Sequence, residues 1–365
     1  MRTYSPYLLL LALLTSACSS PDFDVVISNG LIVDGSGSEP YSGDIGINAD
    51  TIAAIGDLTT FSGSIELDAE GKAITPGFIN MLSWAPGDLM KDGRSMGDIV
   101  QGVTLEVFGE GWSEGPLTEE MKSSEYAANN RPEWTTLREF LDVLETQGIS
   151  TNVASFIGAT TVRVHEVGYE DRAPTNDELQ RMKALVRQAM EEGAMGIGTS
   201  LIYAPAFYAS TQELIELSRV AAEYDGMYIS HMRSEGNQLL EALEELITIS
   251  REAGIRAEVY HLKAGGESNW HKMDLAIARI EEARASGLHI TADMYTYVAG
   301  ATGLDAHMPP WVQEGGFGAW RERLMDPDIR ANVLQEMRTP TNEWENLGLG
   351  AGPEGIMVVS FKQDS

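Results

Sequence analysis

The sequence predicts an α/β fold, a (β/α)8 barrel of the TIM type preceded by a small N-terminal β domain. After residue 76, short apolar runs alternate with amphipathic helical stretches, which is typical of parallel strands with crossover helices. Leu201, His231, His261 and Asp293 follow one another at intervals of 30, 30 and 32 residues, enough for one strand, one helix and two loops. An open doubly wound sheet is disfavoured, because no glycine-rich phosphate motif follows the first strand.

The first domain is predicted from alternating apolar and polar residues between tight turns. Residues 21–75 contain "DVVISNGLIVDGSG", "DIGINADTIAAIG" and "SIELDAEGKAITPG", a pattern that predicts a small antiparallel β domain. Residues 76–365 are assigned to the barrel. The strand candidates that supply it, starting just before this boundary, are seven: "AITPGFINML", "VTLEVFG", "NVASFIG", "MGIGTSLIY", "MYISHM", "AEVYHL" and "HITADMY".

An eighth barrel strand is not predicted after the seventh one. A barrel that lacks its last strand has two unpaired edges and an exposed part of its core. We therefore expect a partial gene product or a chain that requires a complementing partner.

The charge balance excludes one class of partner. The 365 residues include 25 Lys and Arg against 55 Asp and Glu, a formal net charge of −30. This charge repels phosphate backbones and anionic lipid surfaces, so nucleic-acid binding is not expected. The acidity indicates high solubility rather than a particular reaction.

The N-terminus has the features of an export signal. "MRT" precedes the apolar run "YLLLLALLTSA", which is too short to favour a permanent transmembrane helix. The following "LTSAC" resembles a bacterial lipobox, and Cys18 is the chain's single cysteine, so it cannot form an internal disulfide. Residues 1–20 are predicted to be a lipoprotein signal peptide, with the mature chain in the periplasm or cell envelope. An ordinary cleaved signal is the alternative.

Two histidines stand at matching positions in successive strands. His231 in "YISHMRSEG" and His261 in "VYHLKAGG" each end a predicted strand. On a parallel barrel both side chains would converge on the same face, where neutral imidazoles can share one Zn²⁺. The remaining histidines lack this register and receive no role: His165, His271, His289 and His307.

Other polar residues at strand ends are candidates for the same face. Glu110 in "VFGEGW" could supply a third metal ligand, or could equally be a capping or salt-bridged glutamate. Lys263 shares a side with His261 if the strand persists that far, and could bind a substrate carboxylate or lie in solvent. Tyr295 and Tyr297 repeat the same spacing, although tyrosines often only line a barrel rim.

The motifs around these residues resemble those of the amidohydrolase superfamily, and specifically of the D-aminoacylase (N-acyl-D-amino-acid deacylase) family. The similarity covers residues 23–305, and its most specific stretch is "GAMGIGTSLIYAPAFYASTQEL". The other matching stretches are "DVVISNGLIVDGSG", "ITPGFI", "GVTLEVFGEGWSEGP", "YISHMRSEG", "VYHLKAGG" and "DMYTYVAGATGL".

The resemblance implies a metal-dependent barrel with a small β domain built from both chain ends. It implies hydrolysis of an amide that releases a D-amino acid from its N-acyl derivative. In the family, the residues matched by His231 and His261 hold a zinc ion together with a cysteine. The residues matched by Lys263 and Tyr295 contact the substrate. The expected partner is thus a small N-acyl amino acid, with membrane contact only through a lipid on Cys18.

Three departures from the family pattern qualify this expectation. Leu82 and Trp84 replace the H-x-H pair of the first strand, so we expect a single zinc ion. Gly111 stands where the cysteine would align, and the neighbouring Glu110 is the candidate to substitute for it. The family's general-base aspartate would fall beyond residue 365, so no catalytic residue is assigned and the activity of this chain is expected to be weak or nil. Two alternatives remain: a lipid-anchored protein that binds a ligand without turnover, and an amidohydrolase acting on cyclic amides or isoaspartyl dipeptides.

Overall fold

The computed structural model describes residues 20–123 and 132–359, and the chain divides into two compact units between Gly77 and Phe78. Cys18, and with it the predicted signal peptide apart from its last residue, lies outside the described residues. None of the helices in the described ranges is long and apolar enough to cross a membrane.

The first unit is a five-stranded sheet. Its strands are β1 (Phe23–Ile32), β2 (Tyr41–Asn48), β3 (Thr51–Gly56), β4 (Gly63–Asp68) and β5 (Ala73–Ile74). The β1, β2 and β3 strands are antiparallel as predicted, but β4 and β5 both run parallel to β1. The purely antiparallel prediction is therefore wrong. Residues 57–62 carry the chain from one edge of the sheet to the other, so that β4 starts at the same end as β1.

The second unit contains all seven predicted strands of the barrel, one of them divided into two segments. The eight segments are β6 (Phe78–Asn80), β7 (Val103–Phe108), β8 (Asn152–Ser155), β9 (Ile157–Gly158), β10 (Gly196–Ser200), β11 (Met227–His231), β12 (Arg256–Val259) and β13 (Ile290–Ala292). Only Phe156 separates β8 from β9, and its N–H donates to the Phe108 carbonyl at 2.9 Å, so these two segments form one predicted strand.

The barrel strands pair in parallel and in chain order. One ladder joins β6, β7 and β8, and a second joins β9 to β13. In the part of the chain that the structure describes, β6 and β13 each pair on one side only, so the barrel is open between them. This order of neighbours is the one that a (β/α)8 barrel requires.

Helices connect the barrel strands and continue after the last of them. They are α1 (Pro86–Leu89), α2 (Met96–Ile99), α3 (Glu119–Ser123), α4 (Leu137–Gln147), α5 (Ala159–Glu166), α6 (Asn176–Glu191), α7 (Thr211–Ala222), α8 (Leu239–Ala253), α9 (Met273–Ala285), α10 (Gly316–Met325), α11 (Pro327–Met337) and α12 (Leu347–Ala351). Short 3₁₀ turns span Ala206–Tyr208, Glu267–Lys272, Leu304–His307, Pro310–Gln313 and Pro353–Gly355.

The core has two parts, one on each side of the sheet. Apolar faces of the crossover helices pack outside it, as on α6, where Met182 and Val186 are buried. Inside, a smaller cluster fills the space that the curved sheet encloses, so the open barrel is packed rather than hollow. The members of this inner cluster are Val107, Phe156, Ile229 and Tyr260, each at most 1% exposed.

Candidate metal centre

Three strands deliver the predicted ligand residues to one face of the sheet. His231 is the last residue of β11, and Glu110 and His261 each lie two residues beyond the end of β7 and β12. Because the strands are parallel, their carboxyl ends open on the same side, where (β/α)8 barrels carry their chemistry. All three side chains are buried.

The distances between these residues suit a single metal ion. Oε1 of Glu110 lies 3.0 Å from Nδ1 of His231 and 3.4 Å from Nε2 of His261. Two ligand atoms about 2.1 Å from one tetrahedral ion are about 3.4 Å apart, so the spacing fits. Two imidazoles and one carboxylate form a known zinc donor set. Within the described ranges, no other group of His, Cys, Asp or Glu comes together in this way.

The ionisation of Glu110 favours a cation at this point. Burial would raise the pKa of Glu110, but hydrogen bonds from His231 and His261, together with their charges, outweigh burial and lower it. Burial would likewise lower the pKa of His261, yet its bonds to Glu110 and to a second carboxylate, Glu235, raise it to about 9. At pH 7, without a bound metal, the His261 ring is therefore protonated, and its positive charge balances part of the negative charge of Glu110 and Glu235.

Glu235 is part of the centre, although it was not among the site residues predicted from the sequence. Its Oε1 lies 2.8 Å from Nδ1 of His261 and accepts a hydrogen bond from the Lys263 ammonium at 2.6 Å. Burial would raise its pKa, but the charge of His231 and the contacts with His261 and Lys263 hold it at about 2. Its place four residues after His231, in "SHMRSEG", was the available signal. Because Glu235 lies in a loop, no strand alternation indicates which way its side chain points.

Lys263 reaches the site by a different route from the one predicted. The β12 strand ends at Val259, so the expected strand alternation does not extend to Lys263. His261 instead adopts a left-handed φ of 38°, and its N–H donates to Oδ1 of Asp293 at 2.6 Å. This turn brings the Lys263 ammonium back to 2.9 Å from Nδ1 of His261. Asp293 is a second supporting residue that the sequence did not reveal.

Tyrosines form the outer layer of the site. The ring of Tyr295 is stacked on Tyr297 at 4.5 Å and lies 5.3 Å from the Lys263 ammonium. Tyr297 is largely exposed. Tyr203, which the sequence showed only as part of a motif, packs edge-on against His231 with ring centroids 5.3 Å apart, and burial is the main cause that raises its pKa to about 12.

The residues that depart from the family pattern lie where they cannot act as ligands. Leu82 packs against the inner apolar cluster, and Trp84 is 61% exposed. Gly111 has a φ of 70°, and a Cβ there would lie 2.1 Å from the Ser200 hydroxyl oxygen. A cysteine at this position would require Ser200 to move, whereas Glu110 already points at both histidines.

Similarity to known proteins agrees with this fold and site, although no family model matches the chain. D-aminoacylase of Alcaligenes xylosoxydans xylosoxydans is 33% identical over 293 residues, 79% of this chain and 60% of the relative. N-acyl-D-glutamate deacylase of the same organism is 32% identical over 285 residues, 76% of this chain and 58% of the relative. The chain thus spans about 60% of the length of the curated relatives it matches.

Solved structures lead to the same group. A crystal structure of D-aminoacylase matches with a TM-score of 0.70 and 34% identity, covering 76% of this chain and 59% of that one. N-acyl-D-glutamate deacylase from Bordetella bronchiseptica, complexed with zinc and a phosphonate inhibitor, matches with a TM-score of 0.68 and 31% identity over 75% and 59% of the two chains. Fold and site therefore define a member of the amidohydrolase superfamily. Within it, the chain belongs to the D-aminoacylase family.

Proposed function

We propose that this chain is the metal-binding barrel of a hydrolase that cleaves linear amides, with N-acyl-D-amino acids as substrates. The observation that carries the proposal is the convergence of Glu110, His231 and His261 at the carboxyl ends of three parallel strands. The substrate class is inferred from the relatives, which are named as D-aminoacylase, N-acyl-D-glutamate deacylase and N-acyl-D-aspartate deacylase.

We infer that the ion is zinc and that a single ion binds. The donor set of two imidazoles and one carboxylate supports zinc. Leu82 and Trp84 carry no donor atom, which supports one ion rather than two. When bound, zinc supplies Lewis-acid chemistry by polarising a carbonyl oxygen.

The substrate carboxylate is proposed to bind at Lys263 and Tyr295. The Lys263 side chain is 31% exposed, so its ammonium can contact an anionic ligand while it stays paired with Glu235. The Tyr295 hydroxyl is a hydrogen-bond donor on the same outer layer. Together they offer a charge and a donor that an N-acyl amino acid requires and a neutral cyclic amide does not.

The test combines metal content with enantiomer preference. The purified chain, supplied with zinc, should retain about one equivalent after gel filtration, as a three-ligand site does. His231→Ala should lose this zinc, whereas His289→Ala, a histidine outside the centre, should keep it. N-acetyl-D-amino acids should bind more tightly than the L-enantiomers, and whatever hydrolysis the chain catalyses should favour the D-enantiomers.

Two results would contradict the proposal. Less than about a tenth of an equivalent of zinc, with no difference between His231→Ala and wild type, would exclude the metal centre. Zinc retention with no preference between N-acetyl-D- and N-acetyl-L-amino acids, in binding or in hydrolysis, would reject the D-specific substrate class.

We further propose that the chain is exported and anchored to the cell envelope through a lipid on Cys18. The support is the sequence "LTSAC" after a short apolar run. Metabolic labelling with a fatty-acid analogue should mark the wild-type chain, and Cys18→Ser should abolish the label. Equal labelling of both chains would reject the anchor.

A further inference from the structure

Each imidazole of the metal centre lies between two carboxylates. His261 turns Nε2 towards Glu110, at 3.4 Å, and Nδ1 towards Glu235, at 2.8 Å. His231 turns Nδ1 towards Glu110, at 3.0 Å, and Nε2 towards Glu235, at 3.8 Å. The two glutamates therefore contact opposite nitrogens of both rings.

Local charge distinguishes the two sides of the rings. The Lys263 ammonium lies 2.6 Å from Glu235 and 2.9 Å from Nδ1 of His261. A metal cation on this side would be repelled by the ammonium at short range. Glu110 is contacted by the two histidines and, among the described ion pairs, by no lysine or arginine. The metal side is therefore the Glu110 side.

Glu235 is placed to accept the one proton that a metal-bound His261 keeps. A neutral imidazole that offers Nε2 to a metal carries its proton on Nδ1. Oε1 of Glu235, 2.8 Å from Nδ1, can accept that proton, whereas the Lys263 ammonium near the same nitrogen can only donate. In the neutral ring, the lone pair then belongs to Nε2, the atom that faces Glu110.

The backbone around Glu235 is itself fixed by neighbouring segments. Its N–H donates to Oε2 of Glu345 at 3.2 Å, and its carbonyl accepts from the N–H of Gly265 at 2.7 Å. The carboxylate is buried, and its position is thus set from both ends of the residue. Because the backbone of Glu235 is fixed, its carboxylate can determine the orientation of the side chains that contact it.

We propose that Glu235 is the positioning residue of the metal centre: it accepts the Nδ1 proton of His261, which leaves Nε2 free for the metal, and holds the Lys263 ammonium with the same carboxylate. This proposal rests on the proposed function, since it assumes that Glu110, His231 and His261 hold the ion. Carboxylates that orient metal-bound histidines in this way change metal affinity by about 10- to 100-fold when they are removed.

The first measurement is zinc affinity by competition with a chelator, without any assay of activity. Glu235→Ala should weaken zinc binding about 10- to 100-fold. Glu235→Gln should give a smaller loss, because its amide oxygen can accept from His261 while its NH₂ then faces the Lys263 ammonium. The matched control is Glu106→Gln, which removes a buried carboxylate held by Ser83, Ser95 and Thr151 and should leave zinc affinity unchanged.

A spectroscopic readout separates orientation from general destabilisation. Long-range ¹H–¹⁵N correlation spectra of the zinc-loaded chain should show the Nδ1 proton of His261 at low field in wild type and Glu106→Gln, as for a proton shared with a carboxylate. In the Glu235 variants this proton should move upfield and exchange faster with water. Assignment comes from the signals lost in His261→Gln.

The outcomes distinguish the two proposals. If wild type binds no zinc, the proposed function fails and this inference fails with it. If wild type binds zinc while Glu235→Ala and Glu235→Gln keep both its affinity and the low-field Nδ1 proton signal, only the role of Glu235 is rejected. If Glu235→Ala does not fold, Glu235→Gln decides the matter through the same two measurements.

Discussion

At the scale of single residues, the chain places several ionisable side chains in low-dielectric surroundings and satisfies each with a partner. At the metal centre, Glu110 and Glu235 are ionised because histidines and Lys263 oppose the cost of burial. Far from it, Arg163 and Glu213, both at most 4% exposed, pair at 2.8 Å. Loss of one partner in such a pair is costly, because the other charge stays buried.

Zinc affinity should depend on pH through His261. Its pKa of about 9 means that the ring holds an extra proton at pH 7 in the metal-free chain, and zinc must displace it. Between pH 7 and 9, apparent affinity should rise about tenfold per pH unit, and the rise should flatten above pH 9. Chelator competition across this range measures it. An affinity independent of pH would contradict the raised pKa.

Removal of the buried Glu213 carboxylate should destabilise the barrel strongly. Glu213→Ala leaves the Arg163 guanidinium unpaired, and the expected loss is about 3 to 5 kcal/mol in the free energy of unfolding. Urea denaturation measures this loss. The control is Asp92→Asn, which breaks an exposed pair with Arg94 and should leave stability nearly unchanged. Equal effects from the two variants would contradict the argument.

At the scale of elements, local sequence signals and distant contacts compete for the same side chains. The spacings Thr175/Glu178 and Ser210/Glu213 both predict a capping box. At α6 the box is complete, but at α7 only the Ser210 half forms, because the Glu213 carboxylate turns inward to Arg163. The spacing of these residues thus identifies where a helix begins, whereas contacts in the protein interior determine which group the Glu213 carboxylate binds.

The start of α6 should depend measurably on its cap. Thr175→Ala removes the hydroxyl that accepts from the N–H of Glu178, so about 1 kcal/mol of the free energy of unfolding should be lost. Gln180→Ala changes an exposed side chain in the middle of the same helix and should be nearly neutral. Chemical denaturation of both variants provides the comparison. A loss of similar size in Gln180→Ala would indicate that general helix propensity, and not the cap, is responsible.

At the scale of the whole molecule, net charge opposes association at the open sheet edges. Ile79 on β6 and Met294 just after β13 are more than half exposed, and unpaired strand edges promote association. The net charge of −30 repels approaching copies over a distance that salt controls.

The chain should therefore associate more strongly as salt rises. An increase from about 0.01 M to 1 M shortens the screening length from about 30 Å to about 3 Å and removes most of the repulsion. Dynamic light scattering should then record a larger mean radius. The double variant Ile79→Lys and Met294→Lys should reduce this increase, and a radius that does not change with salt in wild type would refute the prediction.

The sequence alone determines the alternation of strands and helices and the register of His231 and His261, because strand period and helix period are local properties of the chain. It also identifies the family, through its motifs. The parallel pairing of β4 was not predicted, because strand direction after a crossover depends on where the chain crosses the sheet.

The tertiary structure alone decides how the site is completed. Glu235 joins it from a loop, and Asp293 accepts the N–H of His261 where φ is 38°. Beyond the end of a strand, side-chain direction no longer follows a period of two. It is determined by contacts between residues about 30 positions apart in the sequence, and those contacts exist only once the strands have assembled.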